Sequence, residues 1–100
     1  MKVSITRGGG LAGITTLTEL TSEALPPAAA RELEELSKAV APAEQAPTRR
    51  PDELHYRLTV ADGESITAHY SDSTLPEDVS RLITWVDQRP ERREEIPGLH

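Results

Sequence analysis

The feature that most constrains the fold is an internal correspondence at a spacing of fifty residues. Sliding the chain by that amount sets Leu25-Pro26 on Leu75-Pro76, Ala29 on Val79, Arg31 on Arg81, Leu33 on Ile83 and Leu36 on Val86. The preceding stretches coincide as well, Thr15 to Leu20 falling on Ser65 to Tyr70. The chain therefore reads as hairpin-helix followed by hairpin-helix. Each element has a single apolar side to bury, so the expected architecture is an α+β fold of order ββαββα. It is a four-stranded, mainly antiparallel sheet with both helices on one face.

Local pattern fills in that outline. Lys2 to Thr6 alternates, with Val3 and Ile5 on one face and Lys2, Ser4 and Thr6 on the other. Ile14 to Leu20 is dense in β-branched residues, and its expected inward set is Ile14, Thr16, Thr18 and Leu20, with Leu17 out of phase. A helix is predicted from Leu25-Pro26-Pro27, where the fixed φ and missing N–H of proline suit a first turn, with Ser22, Glu23 or Ala24 near its cap. Leu25, Ala29, Leu33, Leu36 and Val40 form its apolar stripe. Proline and the loss of periodicity make residues 41–53 a surface linker.

In the second half, Leu54, Tyr56, Leu58 and Val60 face inward, and Ile66, Ala68 and Tyr70 supply the matching face of the next strand. Asp62-Gly63 marks the hairpin. A two-residue loop would set the apolar face of one strand against the polar face of the other, which the pattern excludes. A three-residue loop, Ala61-Asp62-Gly63 with Gly63 left-handed, pairs Leu58 with Ile66, Tyr56 with Ala68 and Leu54 with Tyr70. The last helix is predicted to start at Asp72-Ser73-Thr74-Leu75-Pro76. Leu75, Val79, Leu82, Ile83 and Val86 are its core stripe, Trp85 flanks them, and Pro90 ends it. Residues 1–89 then make one domain, and 90–100 a loose tail.

Composition excludes several function classes. Eleven basic against seventeen acidic residues give a net charge of −6, which argues against a nucleic-acid partner and against an anionic membrane surface. Without cysteine there is no disulfide framework, thiolate metal site or thiol nucleophile. No apolar run has signal-peptide or membrane-spanning length, so the expectation is a cytoplasmic protein, monomeric when free.

Against this background, Arg7-Gly8-Gly9-Gly10-Leu11-Ala12-Gly13 stands out, with four of the six glycines of the chain in seven positions. Such a run costs roughly 2–4 kcal/mol relative to alanine unless the backbone needs unusual φ/ψ or close approach. Gly8, Gly10 and Gly13 formally satisfy G-x-G-x-x-G, but a dinucleotide fingerprint must open a helix, and Ile14-Thr15-Thr16-Leu17-Thr18 is a poor helix former. His55 and His69 stand opposite each other in the expected register, yet two ligands are too few for a metal, and no cofactor is implied. The Ser71-Asp72-Ser73 cluster reads as helix capping and the scattered acids as solvated surface, so no enzyme is expected. Leu11 has two readings. It either folds back as a loop anchor or enters a partner's pocket, where its burial contributes roughly 1.5–3 kcal/mol.

Ile5 to Ile14, the Glu23-Ala24-Leu25-Pro26 segment, the Tyr56 to Gly63 strand and turn, and Ser71-Asp72-Ser73-Thr74-Leu75-Pro76 together resemble the emfourin family of protealysin inhibitors. The resemblance covers about residues 2–88. The family's usual Arg-Ser-Gly-Gly-Phe-Ala-Gly is replaced here by a form with Gly8 for the serine and Leu11 for the aromatic, departures that bear on strength and choice of target. The resemblance implies a non-catalytic inhibitor of thermolysin-like zinc metallopeptidases. On that reading Gly9 to Gly13 lies across the cleft and Leu11 fills the apolar pocket just after the scissile position. Arg7 and the Asp62-Gly63-Glu64 turn touch the rim, Gly8 belongs to the partner-binding loop 7–13, and the zinc belongs to the target. The competing reading is an adaptor domain that binds a non-protease partner through the outer sheet face, around His55, Arg57, Thr67 and His69.

Overall fold

The computed structural model describes residues 1–9, 15–41 and 54–95. Residues 42–53 of the expected linker lie outside the described residues, as do Gly10, Leu11, Ala12, Gly13, Ile14 and residues 96–100. The elements are β1 (Lys2–Gly9), β2 (Thr16–Thr21), α1 (Pro27–Ser37), β3 (Leu54–Asp62), β4 (Glu64–Ser71), α2 (Glu77–Asp87) and β5 (Arg93–Glu95), with a single 3-10 turn at Ser22–Ala24. All strand pairings are antiparallel, in the order β4-β3-β1-β2-β5. No described helix is long and apolar enough to cross a membrane.

Both helices share one core with the inward strand positions. Val3, Ile5, Thr18, Leu20, Leu58, Val60 and Ala68 are buried from the sheet. Ala29 and Leu33 from α1, and Val79, Leu82, Ile83 and Val86 from α2, are buried against them. The core is aliphatic, as the near absence of aromatics requires, and Trp85 packs at its flank with the Arg89 guanidinium 5.5 Å from its ring centroid.

The sheet has five strands, not the four expected, and this is a correction to the fold. Arg93–Glu95 pairs with β2, Leu17 opposite Glu95 and Glu19 opposite Arg93. No apolar alternation announces it, because all three of its residues are exposed. A short, charged edge strand is one of the ways proteins keep a sheet from growing further.

The second hairpin is also corrected. Its register sets Leu58 opposite Ala68, Tyr56 opposite Tyr70 and Val60 opposite Ile66. The pairing is two residues away from the expected one, so each side chain keeps its predicted face and changes only its partner. The loop has closed to Asp62-Gly63-Glu64, with Gly63 at φ +79° on its tip. His69 now faces Arg57 and His55 faces Ser71, so the two histidines are not opposite each other. Gly63→Ala should destabilise the domain by about 1–2 kcal/mol from left-handed backbone strain alone, since an added Cβ would meet nothing within 4 Å. A thermal melt lowered by roughly 4–8 °C per kcal/mol checks it.

The helices begin later than predicted, α1 at Pro27 and α2 at Glu77, with prolines at both N-caps and no side-chain cap. Ser71 to Thr74 serves β4 instead. Thr74 Oγ1 accepts from Ser71 N at 3.0 Å, and Asp72 N donates to Leu54 O at 3.1 Å, so the cluster ties off the end of the strand.

Candidate functional site

The glycine-rich stretch joins β1 to β2, and β1 is the central strand, paired with β2 on one edge and β3 on the other. Two of its glycines are required by the described geometry. Gly9 has φ +94°, a region L side chains rarely adopt. At Gly8, which faces His55 of β3, an added Cβ would lie 2.8 Å from Thr15 Oγ1. The two stems of the loop therefore approach closely at its base.

Arg7 lies on the inward face with Val3 and Ile5, where a cation needs a partner. It has two. Nη1 and Nη2 donate to Asp87 Oδ2 and Oδ1 at 2.8 and 2.6 Å, a bidentate fork, and Nη2 also reaches the buried Thr18 Oγ1 at 3.0 Å. The hydrogen bonds that Arg7 donates to Asp87 raise the Arg7 pKa against the opposing effect of burial, so the guanidinium stays charged. One side chain thus joins β1, β2 and the last residue of α2 directly below the loop. Asp87 and Thr18 were not picked out as site residues from sequence, although an arginine in phase with Val3 and Ile5 was the signal that a carboxylate must lie above it.

Beside Arg7, Tyr56 on β3 donates its hydroxyl to Asp72 Oδ1 at 2.8 Å, and Leu54 N donates to Asp72 Oδ2 at 3.2 Å. Burial, followed by the bond to Asp72, raises the Tyr56 pKa above its ordinary value of 10.0, and burial raises that of Tyr70. A raised folded-state pKa stabilises the fold fully below the unfolded value, and that contribution is lost as pH rises through the folded one. Stability should therefore fall as pH rises through and above the ordinary tyrosine value of 10.0. Tyr56→Phe should flatten part of the fall, as read by urea denaturation along the pH series.

Of the residues predicted to touch a partner, Arg7, Gly8 and Gly9 come together at the base of the loop, while Gly10, Leu11, Ala12 and Gly13 lie outside the described residues. Asp62, Gly63 and Glu64 are not near them. Because β3 runs antiparallel to β1, Gly9 lies opposite Leu54 and Lys2 opposite Ala61, which puts the turn at the far end of the strand. The separation is the length of β1, roughly 25 Å at 3.3 Å per residue. The repeated sequence explains this. Ile5↔Thr18 in the first hairpin corresponds to Leu58↔Ala68 in the second, an offset of 53 for one strand and 50 for the other, so the first turn is three residues longer. The antiparallel β1–β3 seam relates the two hairpins by an approximate two-fold axis, and equivalent turns point to opposite ends.

Sheet, helices and stem define a small loop-presenting α+β domain, with the loop mounted on its most interior strand. The chain belongs to the Emfourin family, which it matches over residues 5–87, a span containing both hairpins, both helices and the Arg7–Asp87 pair. Family membership points, in general terms, to a metallopeptidase inhibitor with a protein partner. No curated protein and no solved structure matches the chain.

Proposed function

We propose that this protein inhibits a thermolysin-like zinc metallopeptidase by occlusion, Gly9 to Gly13 lying extended across the cleft with Leu11 in the apolar pocket just after the scissile position. The observation that carries this reading is the loop base. Positive φ at Gly9, close approach at Gly8 and the Arg7–Asp87 fork hold the stems of a glycine-rich loop in one place. Pre-ordered stems reduce the entropy lost when a loop is immobilised by its partner. Arg7 acts from below, since its donors are engaged by Asp87 and Thr18. The Asp62-Gly63-Glu64 turn stands too far away to share a contact centred on the loop. The zinc is the target's, and this chain supplies the blocking segment.

The test is a cleavage assay, titrating the full chain into thermolysin with a fluorogenic peptide substrate. Dose-dependent loss of cleavage, with no such loss for a heat-unfolded sample, is the expected result. Unimpaired cleavage by thermolysin and by a protealysin-type enzyme at about 100 μM protein would exclude the reading, as that corresponds to less than about 5.5 kcal/mol of binding.

A further inference from the structure

The two edges of the sheet are treated differently. The β2 edge carries the short charged strand β5, whereas β4 forms the other edge over eight residues, and Ser65 to Tyr70 within it contains no acidic residue, lysine, arginine or proline. The hydrogen-bond phase of β4 follows from its end. Asp72 N donates to Leu54 O, so the even-numbered residues exchange hydrogen bonds with β3 and the odd-numbered ones point their amides and carbonyls away. Ser71 fits this phase, its outward amide and carbonyl both being taken by Thr74. The amides and carbonyls of Ser65, Thr67 and His69 face the open edge, where no described strand lies.

Beside the N-terminal half of that edge, on the helix-covered face, lies a groove of about 590 Å³ between β3–β4 and the C-terminal end of α1. Val40, Val60 and Ile66 give it an apolar floor, and Glu34, Asp62 and Glu64 stand around it. Its one lysine, Lys38, is already paired with Glu35 at 2.8 Å. Ile66 is one of only two large apolar side chains among the described residues that are substantially exposed. An open strand edge flanked by a pocket under a helix is the arrangement used to bind extended peptides. Main-chain hydrogen bonds supply affinity, and alternate side chains entering the pocket supply specificity.

We propose that β4 and this groove form a second protein-binding site, at the opposite end of the sheet from the glycine-rich loop, for an extended segment carrying a bulky aliphatic residue flanked at alternate positions by lysine or arginine. The segment adds as a strand to the free edge at Ser65, Thr67 and His69. Its aliphatic side chain, on the same face as Ile66, enters the groove, and its basic residues meet Glu34, Asp62 and Glu64. The excess of carboxylates selects the charge of the occupant. A second copy of this chain is disfavoured, because a protein of net charge −6 would bring a further acidic surface to an acidic groove. This assignment does not depend on the inhibitor reading.

The test uses the full chain and a fluorescein-labelled heptapeptide, Ser-Lys-Thr-Leu-Thr-Lys-Ser, followed by anisotropy and by amide chemical shifts. Saturable binding is expected, with the largest shifts at Ser65, Thr67, His69 and Ile66. Affinity should fall about tenfold or more when both lysines of the peptide become glutamate, and by as much when its alternate backbone amides are N-methylated. Ile66→Asp, at an exposed position, should lose binding to the same degree while an unchanged melting temperature shows that the fold is intact. Absence of binding at about 1 mM peptide would overturn the proposal. So would shifts confined to the loop end around His55 and Thr16, equal binding of the N-methylated peptide, or a dimer of the protein alone that the peptide does not dissociate.

Discussion

Leu11→Asp should raise the inhibition constant against a thermolysin-like enzyme at least tenfold and leave the melting temperature within a degree or two of the parent. Tenfold corresponds to about 1.4 kcal/mol, below the roughly 1.5–3 kcal/mol that burial of a leucine side chain contributes, and a carboxylate placed in an apolar pocket adds its own desolvation penalty. The stability half of the prediction rests on the core. Every large buried side chain described in the domain comes from the strands, the two helices or their immediate flanks, and these already form one continuous cluster. An unchanged inhibition constant would remove the loop from the mechanism. A fall in melting temperature of ten degrees would show Leu11 to be an anchor of the fold, the other reading open to it from sequence.

Arg7→Ala should be the most damaging substitution at the loop base, lowering stability by about 2–3 kcal/mol, or roughly 8–24 °C in melting temperature. It removes a bidentate charged pair from a half-buried site and strips the buried Thr18 hydroxyl of its donor. Arg7→Lys should recover little, because an ammonium cannot span both Asp87 oxygens and Thr18 in the geometry a guanidinium provides. Asp87→Ala leaves the cation uncompensated beneath the helix end. A double-mutant cycle of Arg7→Ala with Asp87→Ala should show coupling of at least 1 kcal/mol. Coupling near zero would make the pair a surface contact of no consequence. If the stems position the loop, each variant should also weaken inhibition at temperatures where it remains folded. Gly63→Ala, destabilised at the other end of the sheet, should not.

Much of this was legible because alternation and helical period are properties of single segments. Val3, Ile5, Leu58 and Val60, and the stripes from Ala29 to Leu33 and from Val79 to Val86, went to the core as their spacing dictated. Register was less accessible. A shift of two residues preserves every face, so pattern could exclude the odd register of the Asp62-Gly63 hairpin but could not choose between the two even ones. Strand β5 was hidden for a different reason. Its pairing is carried by backbone groups while its side chains are charged and exposed, leaving no apolar signal to read.

At the site, the glycine stem and Arg7 were readable, whereas Asp87 required knowing that the end of α2 lies over β1, a contact across eighty residues of chain. The placement of Asp62, Gly63 and Glu64 at the far end follows from the antiparallel β1–β3 seam. Two hairpins alike in sequence do not reveal how they join.

On the proposed inhibitor reading, the central position of β1 bears on what would happen if the target peptidase cut the glycine-rich segment. A substrate cut in two lets its new amine drift away, and the reaction runs forward. Here a cut between Gly10 and Ile14 would leave one fragment carrying β1, paired along both edges, and the other carrying β2, paired with β1 and β5. The pairing of β1 with β2 would hold the two fragments together at an effective concentration on the order of millimolar or more, which favours re-formation of the severed bond over its loss. The sheet that presents the loop thereby also withholds the leaving group.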